Sequence, residues 1–138
     1  MRIYLDTNVV CDSMFDRAPW NADAHRILRT IKSGQNIGFF STLSVANLFY
    51  LGRRIVGSQR ALGVVQTCLS HFEITAIDRN TLESAWQMPG SDFEDNIQLA
   101  AAVAAVVDSI VTRDPRGFVN SSIPVLSPPA LLQQLNIP

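Results

Sequence analysis

Acidic side chains in this sequence occupy positions from which a metal-dependent chemistry could be built. Asp6 follows the apolar run RIYL, and Asp114 follows SIVTR. Asp92 and Asp95 lie in the stretch SDFEDNIQLAAAVAAVV, just before a long segment without charge. Carboxylates that meet in one cleft repel each other, and Mg²⁺ or Mn²⁺ is the natural counter-ion for such oxygen ligands. A bound ion of this kind could activate water and stabilise the charge that develops on a phosphodiester.

The predicted metal ligands are Asp6, Asp92, Asp95 and Asp114. Asp92 and Asp95 are three residues apart and share a helix face, whereas Glu94 is expected to point elsewhere. Each ligand also has a structural explanation. Asp6 and Asp92 could cap helices, and Asp114 could make a turn before proline. Taken singly, no residue decides between the two interpretations; their joint placement favours a site.

Hydrophobic patterning predicts the elements that must position these residues. Short apolar runs predict strands at Arg2–Leu5, Ile37–Phe40, Glu73–Ile77, Ser109–Thr112 and Pro124–Leu126. Periodic segments predict helices at Trp20–Ser33, Thr42–Val56, Ser58–Phe72, Asp78–Gln87, Asp92–Asp108 and Pro128–Leu135. Strands that alternate with helices indicate a single α/β domain over residues 1–138, with a parallel sheet between two helical layers. In such sheets ligands bind outside the carboxyl ends of the strands, where the acidic residues should converge.

Composition and charge narrow the class of protein. The chain has 138 residues, of which 47% are hydrophobic, and its net charge of −1 argues against a strongly basic nucleic-acid binder without excluding a local basic patch. Cys11 and Cys68 fit no metal or redox spacing. Strand-like residues follow Met1 directly, and the longest apolar run is shorter than the ~20 residues that a membrane span needs. We expect no signal peptide, no membrane association and a cytoplasmic location.

The segments RIYLDTNVV, DFEDNIQLAAA and IVTRDPRGF resemble the PIN-domain ribonucleases, which include the VapC-type toxins of toxin–antitoxin pairs. The resemblance extends from the first strand to the last helix. It implies an α/β/α sandwich with a parallel sheet of about five strands and Mg²⁺- or Mn²⁺-dependent cleavage of RNA. Asp6, Asp95 and Asp114 match the acidic positions of the family, and Asp92 matches an additional one in the branch that carries DFED.

Asn47 departs from the family pattern, which usually has glutamate on the helix after the second strand. An amide oxygen could orient a metal-bound water but would hold a cation less tightly than a carboxylate. We interpret Asn47 as an adapted site residue. Thr7 and Thr112 are candidates for placing the catalytic carboxylate or water; the alternatives are a helix cap and a plain strand residue. Asn8 is expected to be a cap.

RNA binding requires positive side chains around the acidic centre, and the candidates are Arg53, Arg54, Arg60, Arg113 and Arg116. Arg53 and Arg54 also suit the end of a helix, where the dipole favours cations. The resemblance further implies a homodimer and a small antitoxin partner. Phe49, Tyr50 and Leu51 could form a groove for a partner helix or pack in the core.

Three classes of function remain open from the sequence. The leading hypothesis is a metal-dependent endoribonuclease with Asp6, Thr7, Asn47, Asp95, Thr112 and Asp114 in catalytic roles. The second is a catalytically weakened relative that binds RNA or a partner without cutting, which Asn47 favours. The third is a receiver or phosphoryl-transfer domain. It is disfavoured because no lysine follows Lys32 and because Asn8 stands where an aspartyl-phosphate hydrolase has a second Asp.

Overall fold

A computed structural model describes residues 1–138 and contains a five-stranded parallel sheet between helices. The strands are β1 (Arg2–Leu5), β2 (Ile37–Ser41), β3 (Phe72–Thr75), β4 (Ser109–Val111) and β5 (Val125–Leu126). The helices are α1 (Thr7–Met14), α2 (Asn21–Lys32), α3 (Thr42–Val56), α4 (Ser58–His71), α5 (Arg79–Gln87), α6 (Phe93–Ala104) and α7 (Pro128–Gln134). A short 3-10 helix spans Pro115–Phe118. The predicted α/β/α sandwich with a parallel sheet is confirmed.

The order in which strands are added to the sheet reverses beside β1. The strand order is β3-β2-β1-β4-β5, and all neighbours are parallel. The chain therefore builds outward from β1 to β3 and then returns to the other side of β1 with β4, where Leu5 lies opposite Val111. Ligands of such sheets bind in the crevice that this reversal opens at the carboxyl ends of the strands. Asp6 and Asp114 follow the two strands that flank it.

Alternating side chains of β1 divide the apolar interior into two layers. Ile3 and Leu5 pack with residues of α1, α2 and α7, whereas Tyr4 packs on the opposite face against Leu99 and Ala102 of α6. The alanine-rich side of α6 thus lies directly on the sheet. This burial fixes the first turn of α6, with its carboxylates, at the rim of the crevice.

The predicted elements are all present, although several ends differ. α6 stops at Ala104 instead of residue 108, because Val106 has a φ of +53°, a conformation that does not continue a right-handed helix. β3 ends at Thr75 instead of residue 77. Helix α1 is an addition to the predicted elements, and it buries Val9, Val10 and Cys11 directly after Asp6. None of the helices combines the length and the apolar composition needed to cross a bilayer.

Candidate active site

Asp6 lies at the reversal of the sheet, between the ends of β1 and β4. Its backbone N–H donates to the Val111 carbonyl at 3.0 Å, which extends the pairing of the two strands by one residue. Its side chain accepts hydrogen bonds from Thr112 Oγ1 at 2.6 Å and from Asn8 Nδ2 at 2.8 Å, both at Oδ2. The residue is 7% exposed. The donors fix the carboxylate and leave Oδ1 available to a ligand in the cleft.

Thr112 and Asn8 both orient Asp6. The Thr112 hydroxyl also accepts the Asp114 N–H at 3.0 Å, so it connects Asp6 to the loop that carries Asp114. The expectation that Asn8 caps a helix is wrong, because Asp6 holds the N-cap position of α1 and the amide of Asn8 turns back onto its carboxylate. Thr7 Oγ1 is buried without a hydrogen-bond partner.

Asp92 and Asp95 begin α6 and interact with each other. Asp92 is the N-cap, and its Oδ1 accepts the Asp95 N–H at 3.1 Å, so the predicted capping role is observed. Burial raises the pKa of Asp95 to about 6, and the negative charges of Asp92, Asp6, Glu94 and Asp114 add to this rise. The same four charges would lower the free energy of a cation near Asp95.

Asp114 is held by Arg116, two residues later. The guanidinium donates from Nε and Nη2 to the two carboxylate oxygens at 2.7 Å each, and the Arg116 backbone N–H donates at 3.2 Å. These hydrogen bonds lower the pKa of Asp114 to about 2. The pair is exposed, with 88% of the Arg116 side chain accessible to solvent. Asp114 therefore remains ionised, but both of its carboxylate oxygens contact the Arg116 guanidinium.

Five carboxylates line one cleft of about 340 Å³, contributed by Asp6, Asp92, Glu94, Asp95 and Asp114. No three of the protein's acidic, histidine or cysteine side chains are close enough to hold one metal ion as they stand. The expectation that Asp6, Asp95 and Asp114 meet within one coordination shell is therefore not met by these side-chain positions. In these positions Asp6 accepts hydrogen bonds from Thr112 and Asn8, and Asp114 is paired with Arg116.

The donor set of the cleft fits a hard divalent cation in its chemistry. All of the candidate ligands are oxygens, as Mg²⁺ and Mn²⁺ prefer. Two of the residues that line the cleft, Thr7 and Gln98, each have a buried side-chain oxygen without a hydrogen-bond partner, whereas most buried polar atoms in proteins have one.

Glu94 was expected to point elsewhere, and this expectation is wrong. Its side chain lines the same cleft as Asp6 and Asp95. Its Oε1 accepts a hydrogen bond from Asn47 Nδ2 at 3.1 Å, across the gap between α6 and α3. The contact joins residues 47 positions apart in the chain, so local sequence pattern does not indicate it. Asn47 contacts Glu94 and does not itself line the cleft.

Arg113 has a different environment from the one expected of an RNA contact. Its Nη2 lies 3.3 Å from Asp12 Oδ1, and its guanidinium stacks over the Trp20 ring at 3.9 Å. Asp12 is nearly inaccessible, with 1% of its side chain exposed, and also contacts Arg17 at 3.6 Å. Burial raises the pKa of Asp12, although Arg113 and Arg17 oppose the rise. Asp12 thus compensates the charge of Arg113, and the Arg113 side chain does not line the carboxylate cleft described above.

The remaining basic candidates are divided between the rim of the cleft and other parts of the surface. Arg53 and Arg54 are in the last turn of α3, and Arg53 stacks on Tyr50 with 5.0 Å to the ring centre. Neither of them lines the cleft. Arg17 does line it, although sequence reasoning did not select this residue. Arg116 lines an adjoining cavity of about 280 Å³ that shares Asp92, Asp95 and Asp114 with the cleft.

Comparison with known proteins gives one family and a group of similar folds. Residues 2–116 match the family model described as PIN domain. No curated protein sequence matches the chain. The VapC20 toxin of Mycobacterium tuberculosis, described as cleaving the sarcin-ricin loop, aligns with a TM-score of 0.70 and 14% identity over 86% of this chain and 94% of its own.

Two structures of complexes contain similar chains. VapBC2 from Rickettsia felis, bound to promoter DNA, gives a TM-score of 0.68 and 15% identity over 92% of this chain and 98% of that chain. A toxin–antitoxin complex from Klebsiella pneumoniae gives 0.63 and 21%, over 91% and 97%. Identities this low establish a shared fold.

Proposed function

The chain belongs to the PIN-domain family, and on that premise we propose that it is a divalent-metal-dependent endoribonuclease, the toxin of a toxin–antitoxin pair. The observation that carries the proposal is the cleft at the reversal of the sheet, which is lined by five carboxylates. So much negative charge in one place costs free energy unless a ligand compensates for it.

The residues proposed to hold Mg²⁺ or Mn²⁺ are Asp6, Asp92, Asp95 and Asp114. When bound, such an ion supplies an activated water and stabilises charge on the phosphate. Thr112 and Asn8 keep the Asp6 carboxylate in one orientation, which lowers the entropy lost on binding. Asp95 has a pKa of about 6, so its carboxyl group changes protonation state just below neutral pH. Cation binding favours the ionised form.

RNA is a polyanion and the cleft is acidic, so basic side chains at the rim are needed to bind its phosphates. Arg17 and Arg116 lie on the two cavities that meet at Asp92, Asp95 and Asp114. We propose that the RNA backbone passes along these cavities, with the scissile phosphate at the carboxylates and flanking phosphates at the two arginines. Such contacts give affinity without sequence choice.

Cleavage of RNA by the purified chain tests the proposal. Mn²⁺ should start cleavage of a structured RNA and EDTA should stop it, whereas Asp6→Asn and Asp95→Asn should abolish it. Glu73→Gln is the matched control, because Glu73 is exposed on β3 and does not line the cleft. Cleavage that survives both aspartate changes, or that proceeds in EDTA, contradicts the proposal.

We propose a small antitoxin as partner, and the α3–α4 pair as the surface that binds it. The exposed apolar side chains of this surface are Tyr50, Leu51, Ile55, Leu62 and Leu69. Leu51 also lines the cleft, so a partner seated here could cover the carboxylates. We also propose that the chain forms a homodimer and that it acts in the cytoplasm. Co-expression with the product of a neighbouring gene, followed by size-exclusion chromatography, tests both partners.

A protein that binds RNA without cutting it is the second candidate. It is favoured by the separation of the carboxylates and by the engagement of Asp114 with Arg116. Calorimetry with Mn²⁺ distinguishes the two candidates: a nuclease shows a saturable divalent site that Asp6→Asn removes, and a pure binding module shows none.

A further inference from the structure

The side chain of Glu94 bridges from α6 to α3. It extends from the first turn of α6 into the carboxylate cleft, where its Oε1 accepts the Asn47 Nδ2 hydrogen bond at 3.1 Å. An amide that donates to a carboxylate holds it in place without neutralising its charge. The negative charge therefore stays available to the cleft, and Asn47 determines where it is.

Gln98 lies one helical turn after Glu94, on the same face of α6. It is 2% exposed, lines the same cleft, and its Oε1 has no hydrogen-bond partner. A buried amide oxygen without a donor is costly unless a water, a cation or a ligand contacts it. Glu94 and Gln98 thus both line the cleft from α6, together with Asp6 from the end of β1.

Asp92, one of the proposed ligands, differs from Glu94 because it also has a structural task. Its Oδ1 caps α6 through the Asp95 N–H at 3.1 Å. Glu94 caps nothing, and its only hydrogen bond comes from a side chain on a different helix. A carboxylate that reaches into an acidic cleft and is held there by a dedicated amide has no comparable role in folding.

We propose that Glu94, positioned by Asn47, is a functional carboxylate of the cation site and adds to the carboxylates of Asp6 and Asp95. The inference deepens the proposed nuclease function and rests on it. In this arrangement the charge that Asn47 lacks is supplied by its hydrogen-bond partner. Asn47 is a positioning residue in the same proposal.

Mn²⁺ affinity, measured by calorimetry on the full chain, tests the proposal without reference to catalysis. Glu94→Gln should weaken Mn²⁺ binding by about tenfold or more, and Asn47→Ala should weaken it by about tenfold, the usual effect of losing an outer-shell partner. Glu73→Gln is the control for a lost surface carboxylate. Glu94 and Glu73 are exposed and Asn47 is half-buried, so circular dichroism should show all of these variants folded.

A charge swap sharpens the test. Asn47→Asp combined with Glu94→Gln keeps the hydrogen bond with its direction reversed, and it moves the negative charge by roughly one hydrogen-bond length, about 3 Å. This double variant should recover most of the affinity that Glu94→Gln loses.

The possible outcomes separate this inference from the function on which it rests. If Glu94→Gln and Glu73→Gln bind Mn²⁺ equally while Asp6→Asn does not bind, the role of Glu94 is refuted and the nuclease proposal stands. If Asp92→Asn weakens binding and Glu94→Gln does not, the four aspartates hold the ion without Glu94 and the role of Glu94 is refuted. If the unaltered chain binds no Mn²⁺, both proposals are overturned.

Discussion

Gly117 faces the carboxylate of Asp95 so closely that no side chain fits between them. A β-carbon at position 117 would lie 2.8 Å from Asp95 Cβ and closer still to the carboxylate group. The 3-10 helix that contains Gly117 begins immediately after Asp114. This contact therefore brings the loop after β4, which follows Asp114, against Asp95 in the first turn of α6.

Gly117→Ala should displace Asp95 and disturb the site. Because Asp95 or the 3-10 helix must move, we expect Mn²⁺ affinity to fall by about tenfold or more and stability to fall by about 1–3 kcal/mol. Calorimetry and urea unfolding measure the two effects. Gly63→Ala is the matched control, since nothing lies within 4 Å of its added methyl group in α4 and it should stabilise the helix by up to about 1 kcal/mol. Unchanged metal affinity in Gly117→Ala would contradict the packing argument.

Ionisation of Asp95 should make stability depend on pH. Its pKa rises from 3.8 in the unfolded chain to about 6 in the folded one, so between these values the folded state binds more protons. Its contribution to stability is thus complete below pH 4 and is lost as the pH rises through 6. Asp95→Asn should stabilise the metal-free protein at pH 7.5 by up to about 1 kcal/mol, since solvent screens part of the effect. Thermal unfolding at pH 4 and pH 7.5 checks this, and equal effects at both values would count against it.

The hydroxyl of Thr112 should matter more than its shape. Thr112→Val preserves the volume but removes the 2.6 Å hydrogen bond to Asp6 and the acceptor for the Asp114 N–H. We expect a loss of about 1–3 kcal/mol in the free energy of unfolding and a clear loss of RNA cleavage. Thr112→Ser should restore both. Equal activity of the valine and serine variants would show that Thr112 is a plain strand-end residue.

The buried Asp12–Arg113 pair should stabilise the loop that carries Thr112 and Asp114. Asp12→Ala leaves Arg113, whose side chain is 20% exposed, without its anion. We expect a cost of about 3 kcal/mol in urea unfolding. Glu83→Gln breaks an exposed ion pair with Arg79 and should cost less than about 0.5 kcal/mol. Similar costs for the two variants would mean that the Asp12 carboxylate is dispensable.

Local patterning was sufficient to predict the sheet and the edge at which the carboxylates gather. Short apolar runs and periodic helices depend on neighbouring residues, and the positions of Asp6 and Asp114 after strands are visible in the sequence itself. In a parallel sheet with right-handed crossovers, the carboxyl ends of all strands lie at the same edge. Helix α1 escaped prediction because only eight residues separate Asp6 from its end, too few for a clear helical period.

Tertiary structure decided which partner each charged group has. Arg113 was available to RNA on the sequence alone, but the fold places it against Asp12, 101 positions earlier in the chain. Glu94 lines the cleft and accepts a hydrogen bond from Asn47 of α3. Gly117 packs directly against the Asp95 side chain. Sequence pattern determines which residues form an element and which edge of the sheet they reach. Hydrogen bonds and ion pairs between distant residues are set by how the elements pack, since a few ångströms separate a bound carboxylate from a free one.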